Sequence, residues 1–301
     1  MSSMPASLRA PADASRLPVT LPRLAEKQRL GEPLVMVTAY DFPSARAAEA
    51  AGVDLVLVGD SGAMTVLGYP STVAVTTEEL LMLAGAVRRG LRTPFLIGDL
   101  PFGSYEVSDE QAVATAFRFV KEAGCDAVKL EGGGATSVAR ASAIVAAGIP
   151  VMGHVGLTPQ TSTALGGYKA QGRSATAAAK IAEGALALQA AGCFSVVFEA
   201  IPSAVARVLM ERMEVPVIGI GAGPATDGQV LVFHDLLGIR EGRGARFVQR
   251  YADLQAEMDA GLAAFAADVR SRAYPAAEHG YAIDDAELAA FRTAFGSDVA
   301  S

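Results

Sequence analysis

The amino-acid sequence predicts an α/β protein built as a closed (β/α)8 TIM barrel. Three observations lead there. Short apolar runs alternate with helical stretches, a recurring phrase marks the junctions, and the units are numerous enough to close a ring. The phrase is an Ala-rich helix, a glycine suited to a left-handed C-terminal cap, then a strand-forming run. Glu49-Ala-Ala-Gly-Val-Asp54 leads into residues 55–60, Glu122-Ala-Gly-Cys-Asp126 into 127–131, and Ala190-Ala-Gly-Cys-Phe194 into 195–199.

Taken in order, the first strand is expected at 34–40, followed by a helix over 43–51 and the second strand at 55–60. A helix over 76–90 precedes a third strand that opens on Pro94, where a missing N–H costs nothing. The helix over 109–123 has Ser108 as its N-cap and leads into the fourth strand, 127–131. A helix over 136–147 precedes the fifth strand, 150–154, and Ser174 caps a helix over 174–191 ahead of the sixth. A helix over 203–213, a seventh strand at 216–221 and a short eighth at 230–233 complete the set. Strands apolar on both faces and alternating with helices require a parallel sheet covered by helices. An open doubly wound sheet permits the same alternation; eight units in about 220 residues favour the barrel.

Residues 1–18 read as a disordered leader, 19–269 as a single barrel domain, and 270–301 as a C-terminal extension. Helices over 251–269 and 285–295 are expected outside the barrel or at a subunit contact. With 51% hydrophobic residues the chain can bury a large core, yet no uncharged apolar run reaches the roughly 18–20 residues of a membrane span. The net charge of −7 argues against a nucleic-acid surface. The cysteines, Cys125 and Cys193, stand in matching apolar contexts, which suggests buried thiols in a reducing compartment, by default the cytoplasm.

The ends of the strands carry the chemistry. Asp60, Asp99, Glu131, His154 and Glu199 terminate strands two to six, and in a parallel barrel these ends share one rim, where active sites lie. Singly, Asp60 and Asp99 read equally well as turn caps, and His154 as a structural histidine. Together, uncompensated repulsion among clustered carboxylates is costly, and a cation is the simple remedy. An all-oxygen set selects a hard ion such as Mg²⁺, which takes one or two carboxylates and leaves positions for a chelating substrate. Asp60 and Asp99 are the expected ligands. Lys129 lies two residues before Glu131 on the same strand face; it pairs with an acid or holds a substrate carboxylate, and Schiff-base formation is a third option disfavoured by the acids that keep it protonated. The long segment 156–173, rich in Gly, Thr and Gln, reads as a lid or binding loop. Gly219-Ile-Gly-Ala-Gly223 lacks the spacing of a nucleotide loop and better suits close backbone approach to the site.

These residues fall within motifs that resemble the ketopantoate hydroxymethyltransferase family. They are Val37-Thr-Ala-Tyr-Asp41, Leu57-Val-Gly-Asp-Ser61, Asp99-Leu-Pro-Phe102, Val128-Lys-Leu-Glu-Gly-Gly133 and Gly153-His-Val-Gly-Leu-Thr-Pro-Gln160. Gly166-Gly-Tyr168, Gln171-Gly-Arg173, Val217-Ile-Gly-Ile-Gly-Ala-Gly223, Thr226-Asp-Gly-Gln-Val230 and Arg246-Phe-Val-Gln-Arg-Tyr-Ala-Asp253 extend the match. The resemblance implies a barrel of the phosphoenolpyruvate-binding type, cytoplasmic and assembled as a homodecamer, acting in pantothenate synthesis. It implies Mg²⁺ at Asp60 and Asp99 with Glu131 nearby, the oxo acid held by Ser61 and Lys129, Glu199 as base, and His154 in the site. Gly62-Ala63 departs from the family's bulky aliphatic and glycine, and Thr163 and Ala170 depart in the lid.

The mechanism so implied starts with 3-methyl-2-oxobutanoate chelating Mg²⁺. Glu199, desolvated in the barrel mouth, takes the C3 proton, and the resulting enolate attacks the one-carbon unit of 5,10-methylenetetrahydrofolate to give 2-dehydropantoate. Two alternatives stand beside it. A Mg²⁺-dependent lyase or mutase of the phosphoenolpyruvate mutase and isocitrate lyase type shares the barrel and the oxo-acid logic, although no cysteine follows the fourth strand here. A non-catalytic, metal-stabilised assembly subunit would be marked by loss of the base or of a ligand, and neither is lost.

Overall fold

A computed structural model describes residues 16–296 apart from 241 and 243; positions 1–15 of the expected leader lie outside the described residues. Eight parallel strands close on themselves in chain order: β1 (Leu34–Thr38), β2 (Leu55–Val58), β3 (Phe95–Asp99), β4 (Ala127–Lys129), β5 (Val151–Gly156), β6 (Ser195–Glu199), β7 (Val217–Ile220) and β8 (Gly228–Leu231). The closing pair is β1 with β8, in register Leu34↔Gly228 through Val37↔Leu231. The open-sheet alternative is thereby excluded.

The junction phrase works as its residues require. Gly52, Gly124 and Gly192 all have positive φ, 76°, 71° and 93°, which turn the chain from helix into strand without a Cβ penalty. The helices that precede them are α2 (Phe42–Ala51), α5 (Asp109–Lys121) and α7 (Ala175–Ala190). Ser108 and Ser174 cap α5 and α7 by accepting from the Gln111 and Ala177 N–H groups at 3.1 and 3.2 Å. Helices α4 (Thr77–Gly90), α6 (Ala135–Ala146) and α8 (Ser203–Met210) complete the outer layer.

Two cores follow from the two faces of each strand. Inward side chains Met36, Leu55, Leu57, Phe95, Ile97, Ala127, Met152, Val197, Ile218 and Val230 fill the barrel interior. Outward ones such as Val56, Leu96, Val128, Val151, Val196 and Val217 pack under the helices. The interior also receives Leu24, 2% exposed, from α1 (Leu21–Leu30), a helix the sequence reading did not anticipate. Its apolar side chain joins the barrel's own packing from the end opposite the strand-end acids.

Several bounds differ from expectation, and two short helices were not foreseen. The eighth strand starts at Gly228, not Val230, because a Cβ at 228 would run into the Leu34 carbonyl; a residue that reads as loop is the one the close pairing demands. α8 stops at Met210, three residues short of the expected 213. Short helices α3 (Gly62–Thr65) and α9 (Phe233–Leu237) follow β2 and β8 and were too brief to show periodicity.

The residues from Asp253 onward form a compact unit of their own. It comprises α10 (Leu254–Ser271), a 3₁₀ turn at Ala277–His279 and α11 (Asp285–Phe295). Tyr274 meets Phe265 edge-on and His279 at a tilt, with ring centroids 5.6 and 5.0 Å apart. No helix among the described residues is long and apolar enough to cross a membrane.

Candidate active site

Inward parity places the chemistry. In β3 and β4 the inward series run Phe95, Ile97, Asp99 and Ala127, Lys129, with Glu131 two residues further on; Asp99 and Lys129 are direct register partners. In β5 and β6 the same parity sends His154 and Glu199 into the mouth, above Met152 and Val197. Asp60 lies just past β2, where its backbone N–H donates to Asp99 Oδ2 at 3.1 Å. Asp60, Asp99, Lys129, Glu131 and His154 are each no more than 4% exposed.

They line one cavity of about 160 Å³, with Ser61, Glu199, Thr38, Val230, Asp235 and Phe247 among its other walls. That is well below the roughly 300–1,000 Å³ of drug-sized sites, and suits an acid of a few carbons. The expected convergence of strand-end residues is therefore observed. The turn-capping alternatives for Asp60 and Asp99 are not: neither carboxylate caps a helix. Glu199 departs from expectation in one respect. Its side chain is 16% exposed and so is not fully desolvated.

Charge inside the cluster is only partly balanced. Lys129 Nζ donates to both oxygens of Asp99, at 2.7 and 2.9 Å, and lies 3.6 Å from Glu131 Oε1. Burial alone would lower the Lys129 pKa, but Asp99, Glu131 and Asp60 outweigh it and keep the ammonium protonated. The same contest holds at His154: burial lowers its pKa, Glu131 and Glu199 raise it, and the net position is about 9. Its Nδ1 lies 3.3 Å from Glu131 and its Nε2 3.3 Å from Glu199. Neither nitrogen has a partner in hydrogen-bond geometry, so these are contacts of charge with charge.

Burial raises the Glu131 pKa, and Lys129 followed by His154 pulls it back below the usual glutamate value. Asp60 makes no ion pair of its own among the described residues, and Lys129 helps it only at a distance. Burial first, then Asp99 and Glu131, push its pKa well up. Asp99 is raised as well, by burial opposed chiefly by Lys129. Asp235, the fifth carboxylate of the lining, is paired with Arg240; Asp60, Asp99, Glu131 and Glu199 face Lys129 and protonated His154, and with every acid ionised the site is short of two positive charges.

A divalent ion is the species that supplies both. Asp60, Asp99 and Glu131 each offer one oxygen within 4.8 Å of the others. Ligands of one Mg²⁺, with bonds of about 2.1 Å, stand up to about 4.2 Å apart, so a small inward adjustment closes the set. The donors are hard oxygens throughout, and they fit that ion.

Side chains that sequence spacing did not single out complete the site. Tyr40, 1% exposed just past the end of β1, pairs its hydroxyl with Ser61 Oγ at 2.8 Å, and burial pushes its pKa to about 12. Gly62 leaves that ring its room, because a Cβ there would meet Tyr40 at 2.7 Å. This places the Gly62-Ala63 departure directly against the residue that holds Ser61. Gln160 and Tyr105 form a buried polar link beside Asp60 and Glu131. Gln160 sits in a motif that was legible, but nothing in its spacing shows that it turns back onto carboxylates 29 and 100 residues earlier in the chain. The Tyr168 end of the lid segment reaches Met64 on α3 at 3.9 Å.

Comparison with known proteins agrees with this geometry. Residues 18–277 match the family described as ketopantoate hydroxymethyltransferase. The 3-methyl-2-oxobutanoate hydroxymethyltransferase of Deinococcus radiodurans is 49% identical over 279 residues, covering 92% of this chain and 98% of that protein. One from Thermus thermophilus is 52% identical over 252 residues, covering 83% and 95%. A mitochondrial one from Arabidopsis thaliana is 48% identical, covering 91% and 81%. Among solved structures, a phosphonopyruvate hydrolase superposes with a TM-score of 0.59 at 13% identity, covering 93% of this chain and 100% of that one. A phosphoenolpyruvate phosphomutase from Streptomyces platensis gives 0.54 at 17%, covering 90% and 95%. These distant likenesses bear out the barrel fold, while the sequence relatives and the family match over most of the chain decide membership: the chain belongs to the ketopantoate hydroxymethyltransferase family.

Proposed function

We propose that the chain transfers a hydroxymethyl group from 5,10-methylenetetrahydrofolate to C3 of 3-methyl-2-oxobutanoate, giving 2-dehydropantoate for pantothenate synthesis. The observation that carries this reading is the two-charge deficit beside a base in a small-acid cavity, in a chain about half identical to enzymes named for that oxo acid. Mg²⁺ held by Asp60 and Asp99, with Glu131 behind them, would supply Lewis acidity toward the keto oxygen.

The chain's own residues do the rest. Ser61, steadied by Tyr40, and Lys129 hold the oxo-acid carboxylate; Lys129 then shares its protons between Asp99 and the substrate. Glu199, in the cavity wall, takes the C3 proton. His154 carries a positive charge 3.3 Å from Glu199 and turns that carboxylate toward the cavity. The apolar wall of Val197, Ile220 and Val230 receives the isopropyl methyls and excludes water from the reacting carbon. The lid segment 156–173 is assigned to covering the mouth.

Deuterium exchange at C3, followed by proton NMR in D₂O, tests the base. Exchange should need a divalent ion, persist without folate and vanish in Glu199→Gln; exchange at the wild-type rate in that variant removes Glu199 from the role. Product formation from 3-methyl-2-oxobutanoate and methylenetetrahydrofolate, with and without EDTA, tests the whole reaction.

Self-association is part of the proposal, and the homodecamer its expected form. Met258, Leu262, Phe265 and Val269 make an exposed apolar stripe at helical spacing along α10, which supports burial against another copy. A cytoplasmic location is proposed as well, supported by Cys125 and Cys193 being free and buried.

A further inference from the structure

We propose that Gln160 is a positioning residue of the metal site, a single amino acid that holds Asp60 and Glu131 in the arrangement a divalent ion needs. The inference rests on the metal reading above and deepens it.

Gln160 lies in the 3₁₀ turn Pro159–Thr161 that follows β5, and it is 3% exposed. It touches both acids with different parts of itself. Its backbone N–H donates to Glu131 Oε2 at 3.0 Å. Its side-chain amide donates to Asp60 Oδ2 at 3.1 Å and to the Leu100 carbonyl at 2.9 Å. The carbonyl end of the same amide accepts from the Tyr105 hydroxyl at 2.7 Å. The orientation of the amide follows from chemistry: an ionised carboxylate and a backbone carbonyl can only accept, so the NH₂ must face them. Every polar atom of the Gln160 side chain is thereby committed, and the group has one available pose.

What that pose does differs between the acids. Glu131 already has Lys129 and His154 within 3.6 Å, and its geometry is over-determined. Among the described residues Asp60 makes no ion pair of its own, and the Gln160 amide is its carboxylate's only hydrogen-bond donor. A rotatable carboxylate on a turn just past β2 would otherwise swing away from Asp99 and Glu131, which repel it. The amide pins Oδ2 and leaves Oδ1 without a protein donor among the described residues. Loss of a hydrogen-bonded partner that fixes a metal-binding side chain typically lowers metal affinity ~10–100-fold. Tyr105, 3% exposed, serves the same end one step further out, since its hydroxyl sets the amide's direction.

The test is Mn²⁺ binding by titration calorimetry, with the electron paramagnetic resonance spectrum of the bound ion as a second readout, on the full chain at fixed pH. Gln160→Met keeps the length of the side chain and the backbone N–H to Glu131 but removes the amide. It should bind Mn²⁺ ~10–100-fold more weakly, with an altered spectrum, while remaining folded in EDTA with a melting temperature lowered by the stranded Tyr105 hydroxyl and Leu100 carbonyl. Tyr105→Phe should weaken Mn²⁺ in the same direction by a smaller factor. Wild-type affinity and spectrum in folded Gln160→Met overturn the assignment. Should Gln160→Met fail to fold, Tyr105→Phe decides: weaker Mn²⁺ upholds the assignment and wild-type binding overturns it. Failure of the wild-type chain to take up Mn²⁺ overturns the metal reading together with this inference, which separates the two.

Discussion

Replacing Asp60 by asparagine should strengthen the metal-free fold and abolish its response to Mg²⁺. Both effects come from one feature, an aspartate at 3% exposure with Asp99 and Glu131 against it and, among the described residues, no ion pair of its own. Its raised pKa means that ionising it opposes folding. That penalty is absent below the unfolded value of 3.8, grows as pH climbs, and is complete above the folded value. At pH 8 the neutral amide of Asp60→Asn escapes it, and the asparagine carbonyl can still accept from Gln160.

In wild-type protein Mg²⁺ should relieve the same penalty. An ion that binds only the folded chain adds about 2.7 kcal/mol at a hundred times its dissociation constant. For a domain of this size that corresponds to a rise in Tm of about 5–11 °C. Asp99→Asn should gain less than Asp60→Asn in EDTA, because the burial penalty on its carboxylate is partly offset by the Lys129 ammonium, which the substitution strips of its 2.7 Å partner. Thermal melts in EDTA and then in rising MgCl₂ measure all of this. The reasoning fails if metal-free Asp60→Asn melts below wild type at pH 8, or if it retains the Mg²⁺ shift.

Three further outcomes are expected. His154, whose pKa is raised to about 9, contributes stability that is fully present below 6.5 and lost as pH rises through 9, worth at most about 3 kcal/mol; the difference in urea midpoint between wild type and His154→Gln in EDTA should shrink across that window, and a constant difference would falsify the charge assignment. Gly156→Ala should abolish activity and lower Tm, since φ is +102° and a Cβ would strike the Glu199 carbonyl, displacing the end of β6 that carries the base; wild-type kinetics in a folded variant would show that Glu199 tolerates the shift. Tyr40→Phe removes the 2.8 Å hydroxyl contact to Ser61 and should raise KM for the oxo acid several-fold with less effect on kcat, the mark of about 1 kcal/mol of lost binding; an unchanged KM in steady-state assays would detach Tyr40 from substrate positioning.

Much of the site was legible because a strand has a period of two and a parallel barrel has one active mouth. Lys129 and Glu131 had to share a face, and Asp99, His154 and Glu199 had to point toward the same rim once eight strands were counted. Gly52, Gly124 and Gly192 announced three of the turns for an equally local reason, their freedom at positive φ. What escaped notice was of two kinds. α1 and α3 were hidden because a ten-residue helix with a single buried leucine, or a four-residue one, leaves too little periodicity to read. Gly228 was hidden because close packing and a loop call for the same residue.

The barrel, the mouth at which the acids gather and the family can be read from residue order alone, since each follows from local periodicity or from motifs that keep their order along the chain. How those acids share charge is set by the folded chain: that Lys129 serves Asp99 before Glu131, that Asp60 stands without an ion pair among the described residues, and that Gln160 reaches it. The physical reason is that such pairings depend on distances of a few ångströms between side chains from different strands. Electrostatic energy in a buried site varies steeply over that range, and residue order along the chain carries no record of it.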